Sequence, residues 1–418
     1  MRKIYTGIDI GSDSIKIVVS EMHNHKMNVL ASTSVRSNGI KKGIIINEEL
    51  VINSLKDALK DIENSIGVKI DKAIATVPAN DRNFNVVSGQ TPVLASDNTI
   101  NGEDIVSVLH EAAIDKVGAN EELVSIVPIT FNIDDVGNVV DPRGKRGKYL
   151  GVKAVLATVP KSNIYKVMNV LNSCDVEVVD IVFGSIGDYY ESKTKQTDKV
   201  LGAIINIGYE TTNVSIFNKG ILIKNDIIEL GSKNIDKDIS YVYKISVAKA
   251  RDLKENFAVG SRRYADVNDI VEIETKDGKK VAINQYELSE VVEARLVELL
   301  KLAKKEINHL TKRKISYIIV TGGVTELAGF NYVIENTLGI NATTLNITTM
   351  GIRDNKFSTS AGIIKYLDNK LEMRDSNYSM FDEGQLGELM SNKRSILKSS
   401  NESIVGKVFG YFAGNKEG

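Results

Sequence analysis

The chain predicts an α/β protein built of two related lobes, with a small α+β unit inserted into the first. Three observations carry that expectation. A strand, a Gly turn and a second strand occur twice, as "YTGIDIGSDSIKIVV" from Tyr5 and as "GAIINIGYETTNVSIF" from Gly202. Two short apolar segments ending in the same "ATVP", at 75–78 and 157–160, bracket a stretch whose texture differs from its flanks. Outside that stretch, helical and strand-like periods alternate along the chain, the pattern of layered α/β architectures.

The elements follow in order. Ile8, Ile10, Ile15, Ile17, Val18 and Val19 flank a Gly/Ser/Asp cluster, which is hairpin chemistry. Residues 47–66 run at helical period, with Leu50, Leu55, Leu59 and Ile62 near one face. "KAIATVP" is a short buried strand ended by Pro78. Residues 82–160 alternate strand-like runs with polar turns and hold one helical stretch, "GEDIVSVLHEAAIDKV". Helix, strand and helix return over 161–192, and the strand–turn–strand unit repeats from 200. Residues 231–258 read as helical, 267–285 as a hairpin and 286–310 as a long amphipathic helix. "KISYIIVTGGVTELAGFNYVIENTLG" is a buried strand, a Gly turn and a helix, and "FSTSAGIIKYL" (357–367) is one more helix. From 368 to about 402 the chain is polar and aperiodic, so a flexible tether is expected there.

At 418 residues the chain is long for one core, and two to four domains are expected. Hydrophobic residues at 42% and charged residues at 26% are the balance of a globular protein. A net charge of −1 advertises no nucleic-acid or polyanion partner. Cys174 is alone, which excludes a disulfide framework or a Cys-based zinc site within one chain and suits a reducing compartment. Four His without a paired motif count against a zinc enzyme; His23 and His25 lie in a turn-like "EMHNHKM". The start, "MRKIYTGIDIGSDS", lacks the features of a signal peptide, and no stretch approaches eighteen apolar residues. A cytoplasmic protein is expected.

Three Gly turns carry the chemistry. "DIGSDSIK" exposes backbone N–H groups and hydroxyls from Gly11, Ser12, Asp13 and Ser14, a nest able to wrap phosphate oxygens. Asp9, at the strand's end, suits a Mg²⁺ held through water, and Lys16 adds a point charge for phosphate. Taken alone, a plain hairpin with a polar turn explains this segment as well. "NIGYETTN", with Asn206, Gly208, Tyr209 and Thr211, has the same form, so two hairpins can clamp a phosphate tail from opposite sides. "VTGGVTELAGF" places Gly322, Gly323 and Val324 between a strand and a helix start, where the backbone approaches a flat or anionic ligand closely. It matches neither a P-loop nor a dinucleotide fingerprint.

In this order the three turns resemble the two phosphate loops and the adenosine motif of the actin/Hsp70/sugar-kinase superfamily, and "FSTSAGIIKYL" resembles its second connecting helix. The closer resemblance is to the FtsA family of bacterial cell-division proteins. It rests on "IVPITFNID…GNVVDPRGKRGKYLGVKAVLATVP", on "GSKNIDKDIS", on "ELSEVVEARLVELLKLAKKEI" and on the last fifteen or so residues. What the resemblance implies is an actin-like ATPase fold, two lobes around a nucleotide cleft. Subdomain 1A would take 1–81 with 161–196 and 349–368, and an inserted 1C would take 82–160. Subdomain 2A would take 197–227 and 301–348, and 2B would take 228–300. A linker over 369–401 and a membrane-targeting helix over 402–418 would complete the chain. The resemblance further implies ATP and Mg as ligands, with Gly231, Arg251 and Lys254 also at the nucleotide. It implies self-assembly into filaments, and binding of the C-terminal peptide of FtsZ by subdomain 2B, where Arg295 matches the family's Arg.

Three departures bear on catalysis. The second phosphate loop normally begins with Asp, and here it is Asn206. An acid common near the helix of "DIVFGSIGDYY" falls on Phe183 and Gly184, and Arg251 stands where a Glu commonly meets the ribose. Asn still bonds a metal-bound water but cannot act as a base, and losing one placed base typically forfeits about 10²–10⁴ in rate. Nucleotide binding with slow hydrolysis is the expectation. The basic run Arg143, Lys145, Arg146 and Lys148 lacks interleaved aromatic platforms beyond Tyr149, and reads as a solvated turn rather than a nucleic-acid site.

The chain closes on "NESIVGKVFGYFAGNKEG". On a helical wheel Ile404, Val405, Val408, Phe409, Tyr411 and Phe412 fall within an arc of about 160°. Small, polar and basic residues fill the other side, the pattern of an interfacial helix too short to span a bilayer. Each apolar side chain gains roughly 1.5–3 kcal/mol at full burial. Two glycines cost about 1 kcal/mol each in a helix. Weak attachment per chain to an anionic membrane, strengthened by polymerisation, follows. The function expected is a membrane-tethering, ATP-binding adaptor that recruits FtsZ at the division site. The alternatives are a small-molecule kinase of the same superfamily and a pilus-assembly actin homologue.

Overall fold

The computed structural model describes residues 2–24 and 26–391. The first hairpin forms as the β-branched alternation dictates: β1 (Lys3–Ile10) pairs antiparallel with β2 (Ser14–His23), and Asp9 faces Lys16 across it. A third strand, β3 (Lys26–Arg36), extends the hairpin; its mixed polar alternation hides it from a reading by apolar runs. Two-residue strands β4 (Ile40–Lys41) and β5 (Ile44–Ile45) lead to α1 (Glu48–Ile66). That helix is capped by the Asn47 side chain and stopped by Gly67 in the left-handed region. β6 (Lys72–Val77) then joins β1 in parallel.

The bracketed stretch folds as its own layer. It comprises β7 (Asn83–Pro92), α2 (Gly102–Ala113), β8 (Glu121–Ile133), β9 (Val136–Val139) and β10 (Tyr149–Pro160). Its sheet runs β7-β10-β8-β9, with α2 packed on β7 and β10. α2 carries a reciprocal capping box between Asn101 and Asp104. Ile105, Val108, Phe131 and Leu156 are among the buried side chains of its separate core. α3 (Lys161–Asn172), β11 (Glu177–Phe183) and α4 (Gly184–Ser192) return the chain to the first lobe.

The second lobe begins with β12 (Leu201–Ile207), β13 (Thr212–Asn218) and β14 (Ile221–Ile228), followed by α5 (Lys233–Tyr243) and α6 (Val247–Asn256). β15 (Ile270–Glu274) and β16 (Lys280–Asn284) form a separate hairpin before α7 (Gln285–Leu310). α7 runs unbroken through 300, so a subdomain boundary between 300 and 301 would cut a single helix whose Leu299, Leu300 and Ala303 share one core. β17 (Tyr317–Thr321), α8 (Phe330–Leu338), β18 (Ala342–Thr344) and α9 (Ser358–Met373) complete the named elements.

The two main sheets have the same order. The first runs β3-β2-β1-β6-β11 and the second β14-β13-β12-β17-β18, each with an antiparallel hairpin followed by parallel strands. α4 and α9 cross where the lobes meet, and glycine permits the crossing: a Cβ on Gly362 would collide with the carbonyl of Gly187.

Part of the stretch expected to be a tether, 369–401, is folded. Residues 376–391 lie against the first sheet, with Met380, Phe381 and Leu389 buried. The Met380 amide donates to the Ile4 carbonyl at 2.9 Å, and the Tyr5 hydroxyl donates to the Tyr378 carbonyl at 2.9 Å. Scattered apolar side chains without period find a partner at the edge of β1, which local pattern cannot show. The interfacial-helix residues Ile404 to Phe412 lie outside the described residues.

Candidate functional site

Equivalent strand ends from the two sheets converge on one cavity of about 660 Å³ between the lobes. In the first lobe Asp9 ends β1, and in the second Asn206 stands near the end of β12, facing Asn213 across the hairpin and Thr321 of β17 on the other side. Of the residues assigned from the three Gly turns and from Arg251 and Lys254, all line this cavity. Gly231 does not. It packs behind the second turn, where a Cβ would meet the carbonyls of Gly208 and Tyr209.

The first turn is closed by the Gly11 amide donating to the Ser14 carbonyl at 3.2 Å. Ser12 Oγ accepts from the Gly43 amide at 2.9 Å. The Asp9 carboxylate takes Lys16 Nζ at 3.2 Å and the Thr76 hydroxyl at 3.0 Å. It is a single carboxylate, and no group of three or more metal-ligating side chains occurs among the described residues. A Mg²⁺ there would depend on ligand oxygens and water.

The second turn is built the same way, with the Gly208 amide donating to the Thr211 carbonyl at 2.9 Å. The start of α5 clasps it: the Ser232 and Lys233 amides donate to the carbonyls of Gly208 and Tyr209. Glu210 accepts from Lys233 Nζ at 2.6 Å and from the Lys42 amide at 2.7 Å, so this turn also touches the opposite lobe. Burial works to raise the Glu210 carboxyl, but the Lys233 ammonium outweighs it and holds it below its ordinary range. The third turn needs glycine: Gly322 sits at φ +106°, and a Cβ there would strike the Ile207 carbonyl.

Two cations expected at a ligand are already partnered. Arg251 forms a two-pronged pair with Asp13 across the cavity, one prong at 2.8 Å, and lies over the Tyr209 ring at 5.1 Å. Burial pushes Asp13 up, yet the guanidinium, with Lys16 and Arg36 nearby, holds it below the usual carboxylate range. Lys254 Nζ donates to the buried Asp236 at 2.6 Å.

The structure corrects one departure. Phe183 and Gly184 are indeed apolar and small, but one turn further along α4 the carboxylate of Asp188 reaches the cavity wall. It is 1% exposed and accepts from Asn206 Nδ2 at 2.7 Å and from the hydroxyls of Ser358 and Thr359 at 2.8 Å each. Burial pushes its carboxyl up to about 6, opposed by those three hydrogen bonds and assisted by Asp9. A linear alignment misses it because the acid arrives from a different turn of the helix. Arg36, Lys42 and Lys356, also at the cavity, come from segments with no motif of their own, while Thr359 comes from "FSTSAGIIKYL".

A family model described as cell division protein FtsA matches residues 203–362, and one described as the SHS2 domain inserted in FtsA matches residues 83–158. The chain belongs to the FtsA family. Cell division protein FtsA of Bacillus subtilis (strain 168) is 26% identical over 366 residues, covering 87% of this chain and 83% of the relative. FtsA of Staphylococcus epidermidis (strain ATCC 35984 and its synonyms) is 27% identical over 404 residues, covering 95% and 86%. Among solved structures, the PilM–PilN type IV pilus biogenesis complex superposes with a TM-score of 0.59 at 13% identity, covering 88% of this chain and 98% of that one. MreB5 of Spiroplasma citri bound to ADP superposes at 0.56 and 12% identity, covering 90% and 99%. The fold is therefore actin-like, with the FtsA-type insertion in its first lobe, and the chain is an actin-like cell-division protein.

Two further expectations for an FtsA-family chain meet the structure away from the cleft. Arg295 is on α7, outside the lining of the cavity, paired in two prongs with Asp238 and also with Glu298 at 2.6 Å. Three of its five N–H groups are taken, so an external carboxylate would compete with Asp238 and Glu298 for it. The basic turn of the insertion is not wholly solvated. Arg143 donates to the Glu372 carbonyl at 2.6 Å and pairs with Asp375 at 3.1 Å, which ties the inserted domain to the end of α9. Cys174 is buried beside Ile52, and burial raises its thiol pKa. No helix among the described residues is long and apolar enough to cross a membrane.

Proposed function

We propose that this chain binds ATP between its lobes, assembles into filaments on the inner face of the cell membrane, and there recruits the C-terminal peptide of FtsZ to the division site. The observation that carries the nucleotide reading is the convergence of three Gly turns, from both lobes, on one cavity. The residues fit the ligand. The first and second turns line the cavity from opposite lobes, and the third reaches it with Gly322 at a φ of +106° that only glycine adopts readily. The solved MreB5 structures of the same fold are described as bound to ADP and to AMPPNP, which supports the same choice of ligand.

In this reading the first and second turns hold the phosphate chain by backbone donors and Lys16 supplies charge. Asp9 holds the hydration water of a Mg²⁺, a cation that neutralises phosphate charge. Tyr209, Gly322 and Gly323 border the nucleoside. The Asp13–Arg251 pair spans the cleft, so a polyanion entering it competes with Asp13 for Arg251 and biases how the lobes close. Asn206 cannot take a proton from water, so hydrolysis is slow and the nucleotide acts mainly as a conformational ligand. Arg295 offers a guanidinium to the acidic peptide, and Ile404, Val405, Val408, Phe409, Tyr411 and Phe412 insert into the membrane surface. The FtsA family models favour this reading over the pilus-assembly one, which rests on fold likeness.

Titration of the full chain, loaded with Mg·ATP, against a synthetic FtsZ C-terminal peptide tests the partner. Saturable binding, weakened by Arg295→Ala, is expected; a folded, ATP-loaded chain without saturable binding overturns it. Flotation with anionic liposomes tests the anchor, and equal flotation of the full chain and of one ending at 401 removes that part of the reading.

A further inference from the structure

Asp188 is a buried carboxylate whose partners are side-chain donors without a formal charge. They come from two parts of the lobe junction. Asn206 belongs to β12, while Ser358 and Thr359 open α9. Ser358 in turn meets the Thr321 hydroxyl of β17 at 3.0 Å. Such a group costs several kcal/mol to bury, and it persists only where the surroundings demand an acceptor.

What it demands of Asn206 follows from elementary donor rules. An ionised carboxylate accepts only, so the amide nitrogen must face it and the carbonyl oxygen must face away. That oxygen lies beside the Gly322 turn, 3.2 Å from where a Cβ on Gly322 would stand, at the cavity wall. A free Asn side chain at a strand end would sample both flips. Here one face of the cleft is held as an acceptor.

We infer that Asp188 is a positioning residue of the cleft: it fixes the Asn206 amide with its carbonyl oxygen toward the cavity and, through Ser358 and Thr359, ties that orientation to the helix joining the lobes. The fixed oxygen accepts from a hydrated cation or another donor brought in with the ligand, so the pair serves the metal–phosphate end of the site. This rests on the nucleotide reading above. The negative charge is only 1% exposed and engaged by three donors, so it orients the amide while presenting little of itself to phosphate.

The test uses the full chain as wild type, D188N, N206D and the exchange D188N/N206D, each titrated with ATP in Mg²⁺ and in EDTA and each melted without nucleotide. D188N keeps an oxygen at Oδ1 for Ser358 and Thr359 but puts an amide NH2 against 206, which favours the opposite flip there. Its affinity for Mg·ATP should fall about tenfold, the scale of one charge-assisted hydrogen bond, with little change in EDTA. N206D places two carboxylates at the present 2.7 Å contact and should bind worse and melt lower. The exchange rebuilds the contact with its polarity reversed and should recover Mg·ATP affinity to within about threefold of wild type. The inference is overturned if D188N matches wild type in the Mg²⁺-dependent part, or if the exchange is no better than N206D. A wild type that binds no ATP removes the nucleotide reading instead. The melting temperatures then decide the pairing: recovery in the exchange supports it, and additive losses overturn it.

Discussion

The two central hairpins share a backbone and differ in where they keep their charge. In β1–β2 the cross-strand pair is Asp9 and Lys16, and in β12–β13 it is Asn206 and Asn213. Both first positions stand beside a threonine of the next parallel strand, Thr76 in one lobe and Thr321 in the other. In the first lobe the carboxylate is at the cavity, satisfied by a lysine. In the second an amide is at the cavity, and the carboxylate has moved behind it to Asp188. One fold unit thus supports a half-buried ion pair on one side of a cleft and a buried, uncharged-partner network on the other. The choice depends on what packs behind the strand.

The largest way to break the likeness is Gly7→Val. Gly7 is two residues before Asp9, and α9 crosses there so closely that a Cβ would strike the Ser360 carbonyl. The matching position of the second lobe is Ile204, buried and well accommodated. Overpacking against backbone should cost about 3 kcal/mol, read as a drop in urea midpoint at unchanged slope.

Next in size is the pH dependence set by Asp188. Its folded-state pKa of about 6 lies above the ordinary 3.8, so the folded chain holds a proton that the unfolded chain has lost. The stability from this group is complete below about pH 4 and is lost as pH rises through 6, at up to about 1.4 kcal/mol per unit. Wild type should therefore lose ground to D188N between pH 4 and 6 in parallel denaturant titrations. A constant difference would show that Asp188 stays ionised throughout.

Smaller effects sharpen the contrast between the threonines. Ser358 donates to Asp188, so the Thr321 hydroxyl donates to Ser358 in a fully buried chain. Thr321→Val should cost about 1–2 kcal/mol. Thr76→Val should cost less, because Asp9 keeps Lys16 and faces the open cavity. The smallest change is Ile204→Val, about 1 kcal/mol for one buried methylene, against the much larger loss at Gly7.

Much of this architecture was legible because it is local. Alternating β-branched residues around Gly11 and Gly208 make hairpins wherever they occur, and "ATVP" twice marked the ends of the inserted domain. The capped helix from Glu48 and the long α7 follow from spacing and apolar period alone. Asp188 was not legible. Three donors from β12 and α9, far apart in sequence, define it, and nothing in "DIVFGSIGDYY" marks which residue faces the junction. The strand β3 is not legible because its alternation carries Ser and Thr where apolar residues are expected, nor is the fold of 376–391, because its few apolar residues answer to β1 rather than to one another.

The sequence by itself determined the two strand–turn–strand units, the glycines that let backbone approach a ligand, and the amphipathic pattern of the last residues, since each depends on neighbours along the chain. The tertiary structure decided which charges are free to meet a ligand. Arg251, Lys254 and Arg295 each read as available cations, and each is taken up by an acid of another segment, Asp13, Asp236 and Asp238. Asn206 read as a lost acid and stands against one. Charges interact through space over distances set by packing, and burial multiplies their strength, so their roles are settled only when the lobes come together.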